Sequence, residues 1–329
     1  MKTIIIAEAG VNHDGKLHNA LKLVDIAKKV GADYVKFQTF IPDQMITKNA
    51  EMALYQINSQ NKNNQYQLLK KLSLSFSDQK IIFNYCNKKK IKFLSTAFDL
   101  KSLDFLLNLG VDYIKIPSGE ITNYTLLKKI SKINKKVILS TGASTLKEIS
   151  AAVKVLNLRK NSLTIMHCNS SYPTPLEDVN LNVLKEIKKK YKYNIGYSDH
   201  TLSLAVPVGS IALGASIIEK HFTISRKLKG PDHKSSLEPN ELSQMISLIR
   251  DFEKSLGKSE KFVTKSEAKN RTIIRKSIVA SKNIYKGERF ATHNVSLKRP
   301  GDGISPMDLK KVIGKIAKRK FNKDEKIKI

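Results

Sequence analysis

The feature that most constrains this chain is an alternation repeated eight times in about 260 residues: a short β-rich run, then a longer amphipathic stretch. The runs are TIIIAEA (3–9), DYVKFQT (33–39), IKFLST (91–96), DYIKIPS (112–118), KKVILST (135–141), SLTIMHC (162–168), YNIGYS (193–198) and ASIIEKHF (215–222). Helical patterns follow them, at about 17–30, 100–109, 123–132, 145–157, 180–191, 203–213 and 238–256, with further helical segments running up to Lys90. Gly31, Gly110 and Gly214 stand where helices should stop. Short strands separated by helices imply parallel βαβ units, and eight such units at this length predict a closed (β/α)8 TIM barrel spanning 1–256.

Strand ends support closure. Each run finishes in polar, reactive residues: Glu8; Lys36 with Gln38; Thr96; Lys115 with Ser118 and Glu120; Ser140; His167; Ser198 with His200; Glu219 with His221. A barrel gathers chemistry at all its strand carboxyl ends, whereas an open sheet concentrates it at one switch point. Between the second run and the helical segments that follow lies an insertion, roughly 41–66, rich in Asn, Gln and Ser. Beyond the barrel, 257–271 (GKSEKFVTKSEAKNR) is polar with little periodicity and reads as a linker. The remaining stretch, 272–329, holds short β-like runs broken by Gly and Pro, enough for a small β-rich domain.

Composition narrows the function. The chain of 329 residues is 41% hydrophobic and 27% charged, enough to build a core. No apolar run approaches a membrane span, and MKTIIIAEAG lacks the layout of a signal peptide, so neither membrane nor export is expected. Two cysteines, Cys86 and Cys168, cannot build a disulfide framework and fit a reducing, cytoplasmic setting. The net charge of +30 comes from lysines on polar helix faces, without any nucleic-acid-binding motif, and nucleic acid is not an expected partner. GxGxxG and GxxxxGK[ST] are absent, which argues against a nucleotide cofactor.

The strand-end residues admit functional and plain readings. Lys36 and Lys115 suit a phosphate or carboxylate clamp, a Schiff base, or simple snorkelling to solvent. With Ser118, Ser140 and Ser198 in the same ring, two cations and several hydroxyls fit a phosphorylated anion. His200 and His221 end consecutive strands and could share a divalent ion with open positions for water or substrate. Glu8 and Glu120 could accept from sugar hydroxyls, move protons, or pair with the lysines. GPD (230–232) and PTP (173–175) shape the substrate end of the pocket.

In order along the chain, IAEAGVNHDG, ADYVKFQTF, FLSTAFD, YIKIPSGEITN, VILSTG, HCNSSYPTP, IGYSDHT, IEKHFT, GPDHKSSLEP, RKSIVA and KRPGDGISP resemble the sialic acid synthase family, with its legionaminate and pseudaminate relatives. The resemblance runs almost end to end. It implies a barrel followed by a small antifreeze-like (SAF, β-clip) domain, assembled as a domain-swapped homodimer. It further implies metal-dependent condensation of phosphoenolpyruvate with an N-acylated sugar aldehyde and water, releasing phosphate by C–O cleavage. In that scheme C3 of phosphoenolpyruvate attacks the aldehyde, water captures C2, and the tetrahedral adduct collapses.

Carried over by motif, Lys36, Lys115, Ser118, Ser140, Ser170 and Ser198 would hold phosphoenolpyruvate. His200 and His221 would bind Mn2+, or Mg2+ or Co2+. Glu8, Gln38, Glu120, Tyr172 and Asp232 would contact the sugar, and Arg299 would reach its N-acyl group from the other subunit. Glu120 leads as the proton-transfer group, with Glu8 and Lys115 as further catalytic candidates. Ala97 stands where the family commonly has Pro, and Asn169, Ser170 and Ser171 stand where relatives carry Thr, Asn or Glu in a substrate loop. The leading expectation is N-acetylneuraminate from N-acetylmannosamine. The nearest rival is N,N'-diacetyllegionaminate (or pseudaminate) from a 2,4-diacetamido-2,4,6-trideoxyhexose, and the more distant ones are a Schiff-base aldolase using Lys115 and a basic binding protein without turnover.

Overall fold

The computed structural model describes residues 2–52 and 64–329, so the middle of the expected insertion lies outside the described residues. The chain divides into two compact units, Met1–Gly257 and Lys258–Ile329.

In the first unit eight parallel strands close into a barrel in chain order. They are β1 (Ile4–Gly10), β2 (Tyr34–Thr39), β3 (Lys92–Ala97), β4 (Tyr113–Ile116), β5 (Lys136–Ser140), β6 (Leu163–Cys168), β7 (Asn194–Asp199) and β8 (Ile217–His221). The helices are α1 (Leu17–Lys29), α2 (Pro42–Met45), α3 (Gln65–Leu72), α4 (Phe76–Lys89), α5 (Leu100–Leu109), α6 (Tyr124–Ile130), α7 (Leu146–Leu156), α8 (Val183–Tyr191), α9 (Ala205–Ala212) and α10 (Pro239–Leu256).

Their boundaries follow from caps. Ser75 with Asp78, and Thr145 with Glu148, form reciprocal capping boxes that start α4 and α7. Asp99 caps α5 through Ser102 N and also accepts from Ile41 N at 2.9 Å, tying the β2 exit to the β3 exit. β4 stops at Ile116, two residues short of the expected run. Pro117 offers no N–H to continue the ladder, and Ser118–Glu120 curls into a 3-10 turn.

The strands bury both faces, and the period of two separates two cores. Ile6, Tyr34, Leu94, Ile138, Met166 and Ile217 form a small cluster of their own inside the barrel. The larger cluster joins the alternate strand residues, such as Ile5, Val35, Ile165 and Ile218, to the surrounding helices. This parity decides which polar residues reach the cavity.

The second unit is small. β9 (Ser277–Ala280) and β10 (Val295–Lys298) pair antiparallel, followed by α12 (Leu309–Val312), around a core that includes Ile278, Ile284, Phe290, Val312 and Phe321. The 257–271 stretch read as a linker holds most of a helix, α11 (Lys265–Ile274). The overlooked signal was a local one: Thr264 caps it with Glu267 in a reciprocal box, a T-x-x-E spacing visible in the chain.

Candidate active site

Moving up the inside of the barrel, the apolar cluster gives way to a polar layer. Two residues above Ile6 comes Glu8; above Tyr34, Lys36; above Leu94, Thr96; above Ile138, Ser140; above Met166, Cys168; and above Ile217, Glu219. These side chains, with Lys115 and Ser198, line a cavity of about 420 Å³ at the carboxyl ends of the strands. Gln38, Ser118, Ser170, Tyr172, His200 and His221 complete its upper wall.

Lys36 and Lys115 converge on one carboxylate. Oε1 of Glu219 lies 3.2 Å from Lys36 Nζ and 3.0 Å from Lys115 Nζ, and it accepts from Ser198 Oγ at 3.1 Å. Lys36 also donates to Thr96 Oγ1 at 3.1 Å and sits 3.1 Å from Glu8 Oε2. All four charged groups are buried. Burial works against the charge on Glu219, yet Lys115 and Lys36 outweigh it and hold the carboxyl well below its usual range. Burial dominates at Glu8, only partly offset by Lys36, and pushes it up to about 8. Two lysines therefore face one carboxylate that stays ionised near neutral pH, with Glu8 adding no second full charge, which suits the layer to an anion. Burial lowers the pKa of Lys115, while at Lys36 the attraction of Glu219 and Glu8 overcomes burial and raises it.

Hydroxyls surround the pair. Ser140 Oγ is buried without a protein partner, and Ser118 Oγ accepts from Gly142 N at 2.8 Å. A Cβ on Gly142 would fall 2.5 Å from Ser170 Oγ and 2.9 Å from Ser118 Oγ, so a larger residue would displace those hydroxyls.

The imidazoles of His200 and His221 sit 5.4 Å apart, with the Tyr172 ring 4.2 Å from the first. A carbonyl oxygen only accepts, so His200 Nδ1 donates to Asn169 O at 2.5 Å, and Nε2 keeps its lone pair. Burial holds His200 down to about 4 and His221 well below its usual value, so both rings are neutral near pH 7. His221 Nδ1 is buried without a partner. Two neutral imidazoles, one with an orphaned nitrogen, fit a divalent ion. Among the described residues no group of three or more His, Cys, Asp or Glu is arranged to hold one, so remaining positions would fall to substrate and water.

The chain as a whole has well-matched relatives. Residues 23–261 match the NeuB family model. The chain belongs to the NeuB family. Residues 275–328 match the SAF domain. Along its whole length this NeuB-family chain is 47% identical to the N,N'-diacetyllegionaminic acid synthase of Campylobacter jejuni, covering 99% of each chain. It is 41% identical to the N,N'-diacetyllegionaminic acid synthase of Legionella pneumophila, covering 95% of this chain and 90% of that one. A crystal structure of the N-acetylneuraminic acid (sialic acid) synthetase of Leptospira borgpetersenii, in complex with citrate, superposes with a TM-score of 0.72 at 34% identity, covering 82% and 90% of the two chains. Like these relatives, the NeuB-family chain is an enzyme of sugar-acid synthesis.

Three of the residues expected at the site lie outside the cavity lining. Glu120 is on the 3-10 turn, its Oε2 accepting from Asn123 Nδ2 at 2.6 Å. Asp232 is buried beside the upper wall: its Oδ2, Glu8 Oε1 and His221 Cε1 lie 3.5, 3.3 and 3.3 Å from where a Cβ on Gly10 would stand. Burial pushes Asp232 up to about 6. Arg299 belongs to the second unit, exposed just after β10. His167, named among the reactive strand ends, has the opposite parity; its Nε2 meets Val179 O at 2.8 Å, away from this cavity.

Glu219 is the central residue that the expected site omitted, although its spacing of two from His221 already put both on one face. Met45, Gln65 and Leu69, on the flanks of the insertion, also line the cavity, and no motif marked them. The described residues contain no helix long and apolar enough to cross a membrane.

Proposed function

We propose that this enzyme condenses phosphoenolpyruvate with a 2,4-diacetamido-2,4,6-trideoxyhexose to make N,N'-diacetyllegionaminate, releasing phosphate. The observation that carries the chemistry is the pair of buried lysines, Lys36 and Lys115, facing one cavity in a ring of hydroxyls. The sugar follows the relatives. Those at 47% and 41% identity are named for diacetyllegionaminate, whereas the sialic acid synthetase stands at 34%, so the N-acetylneuraminate expectation gives way to its rival.

The phosphate and carboxylate of phosphoenolpyruvate would take the place of Glu219 as partners of the two lysines, with Ser140 Oγ, Ser118 and Ser198 donating to the same anion. Because burial raises Glu8, it carries a proton near neutral pH and can give it to an oxygen developing charge beside it. The lysines act as charge clamps, since each is already engaged by a carboxylate at about 3 Å. His200 and His221 would hold the divalent ion, Mn2+ or a similar one, which when bound supplies Lewis-acid polarisation of the aldehyde oxygen. Tyr172 and Gln38 line the sugar end of the same cavity.

The same proposal includes a homodimer in which Arg299 meets the N-acyl group of sugar bound by the partner, and a cytoplasmic setting. The family resemblance supports the dimer. Two free, buried cysteines fit a reducing compartment.

The test measures phosphate release from phosphoenolpyruvate with Mn2+, comparing the diacetamido sugar with N-acetylmannosamine. Faster turnover of the diacetamido sugar, abolished by EDTA and restored by Mn2+, is the expected result. Preference for N-acetylmannosamine would return the reading to N-acetylneuraminate, and no release with either would overturn it. A borohydride-trapped adduct on Lys115 would point to the aldolase instead.

A further inference from the structure

Two loops at the carboxyl end of the barrel are stitched together by side chains that the proposed reaction does not use. One is the turn after β1, residues 11–15. The other follows β8 and carries the 3-10 turn His233–Ser235. His233 is fully buried. Its Nε2 lies 3.1 and 3.3 Å from the two carboxylate oxygens of Asp14, and its Nδ1 lies 2.6 Å from Thr223 Oγ1. A carboxylate only accepts, so Nε2–H donates to Asp14, while Nδ1 shares a hydrogen bond with the Thr223 hydroxyl, which also reaches Ser225 O at 3.2 Å. Gly230 makes room for this contact. A Cβ there would fall 2.4 Å from Asp14 Oδ1 and 2.7 Å from His233 Nε2.

Asn12 adds a second stitch. Its Nδ2 donates to Phe222 O at 2.8 Å and to Ser236 Oγ at 2.9 Å, and Ser236 Oγ in turn donates to Asp232 O at 2.6 Å. Ser235 Oγ reaches the same carbonyl at 3.1 Å. Asp232 therefore has its own carbonyl held by two hydroxyls and its chain neighbour pinned to Asp14. Its carboxylate is left near Glu8 and His221, behind the wall that those two side chains form. A Thr–His–Asp chain suggests a nucleophile, but Thr223 is fully buried and does not line the cavity, so no substrate carbon can reach it.

We propose that Thr223, His233 and Asp14, with Asn12, form a positioning clamp that fixes the Asp232 carboxylate near Glu8 and His221, at the edge of the cavity that takes the sugar. The clamp would set the affinity for the amino-sugar aldehyde and leave that for phosphoenolpyruvate alone. This rests on the reading of the cavity given above.

The test uses the full chain with Asp14→Ala, a partly exposed position, and Asp14→Asn, whose amide oxygen can still accept from His233. With saturating Mn2+, Asp14→Ala should raise KM for the sugar about tenfold, equivalent to about 1.4 kcal/mol, with KM for phosphoenolpyruvate within about twofold. Asp14→Asn should recover most of the loss. Equal rises in both KM values, or no change in either, would overturn the clamp. Hydrogen exchange separates this from a failure of the reaction itself. If the wild type turns over no amino sugar, the clamp still requires faster exchange across 230–236 in Asp14→Ala, with the β-strands unchanged. Unaltered exchange there removes it.

Discussion

The inner and outer faces of β8 carry consecutive charges with opposite uses. Glu219 and His221 face the cavity, while Lys220 between them turns outward, into the layer between barrel and helices. Lys220 is completely buried, and Nζ sits 2.5 Å from both Asp199 Oδ2 and Thr201 O. Asp199 is closed off as well, since its Oδ1 accepts from Tyr197 OH and Thr201 N. Both groups are closely paired with protein atoms there, and neither lines the cavity. On the inner face Lys36 and Lys115 share Glu219, Ser140 Oγ has no partner, and a cavity lies open beside them. Buried charge alone does not mark a site. Incomplete pairing next to a cavity does.

The largest expected effect tests the outer face. Lys220→Met leaves Asp199 charged and buried without a counter-ion, and should cost about 3–5 kcal/mol of stability, read by urea unfolding. A loss under about 1 kcal/mol would mean that the outer pair is not the closed structural device described. Next comes the inner face. Lys115→Met should cut turnover by about 10²–10³-fold yet cost less stability than Lys220→Met, because Glu219 keeps Lys36. Reversal of that order, with Lys115→Met the worse folder, would erase the distinction between the faces. Ser140→Ala is gentler. It removes a hydroxyl with no protein partner, so stability should hold or rise by up to about 1 kcal/mol while KM for phosphoenolpyruvate rises. A stability loss with an unchanged KM would show that the hydroxyl serves the fold.

Much of this contrast was legible in the chain. The eight runs and the helices between them fall within a residue or two of their expected bounds along most of the barrel, because Gly stops and Ser, Thr or Asp caps are local signals. The motif residues from Glu8 through His221 that gather in the cavity did so because strand ends in a barrel share one rim. Parity was harder. In SLTIMHC both faces of the strand are apolar and buried, so nothing local says that Met166 and Cys168 point in and His167 out. Glu120 shows the other limit. Pro117 and the turn that follows re-aim a side chain that the IKIPSGE spacing alone set beside Lys115. The contributions of Met45, Gln65 and Leu69 depend on where α2 and α3 pack, which no period encodes.

The inner face has a second end, and it supplies the smallest effect. Lys92 stands on β3 with the same parity as Leu94 and Thr96, but below the apolar cluster, at the amino end of the barrel. It pairs with Asp112 at 2.7 Å, and the two side chains are 62% and 48% exposed. Water screens such a pair, so Lys92→Met should shift stability by less than about 1 kcal/mol and leave turnover as it was. Lys36 and Lys92 would then be two inward lysines separated only by the apolar plug, one governing chemistry and the other nearly silent. If Lys92→Met instead impaired turnover as Lys115→Met does, the plug would not isolate the two ends, and depth along the barrel would count for less than the side-chain parity that they share.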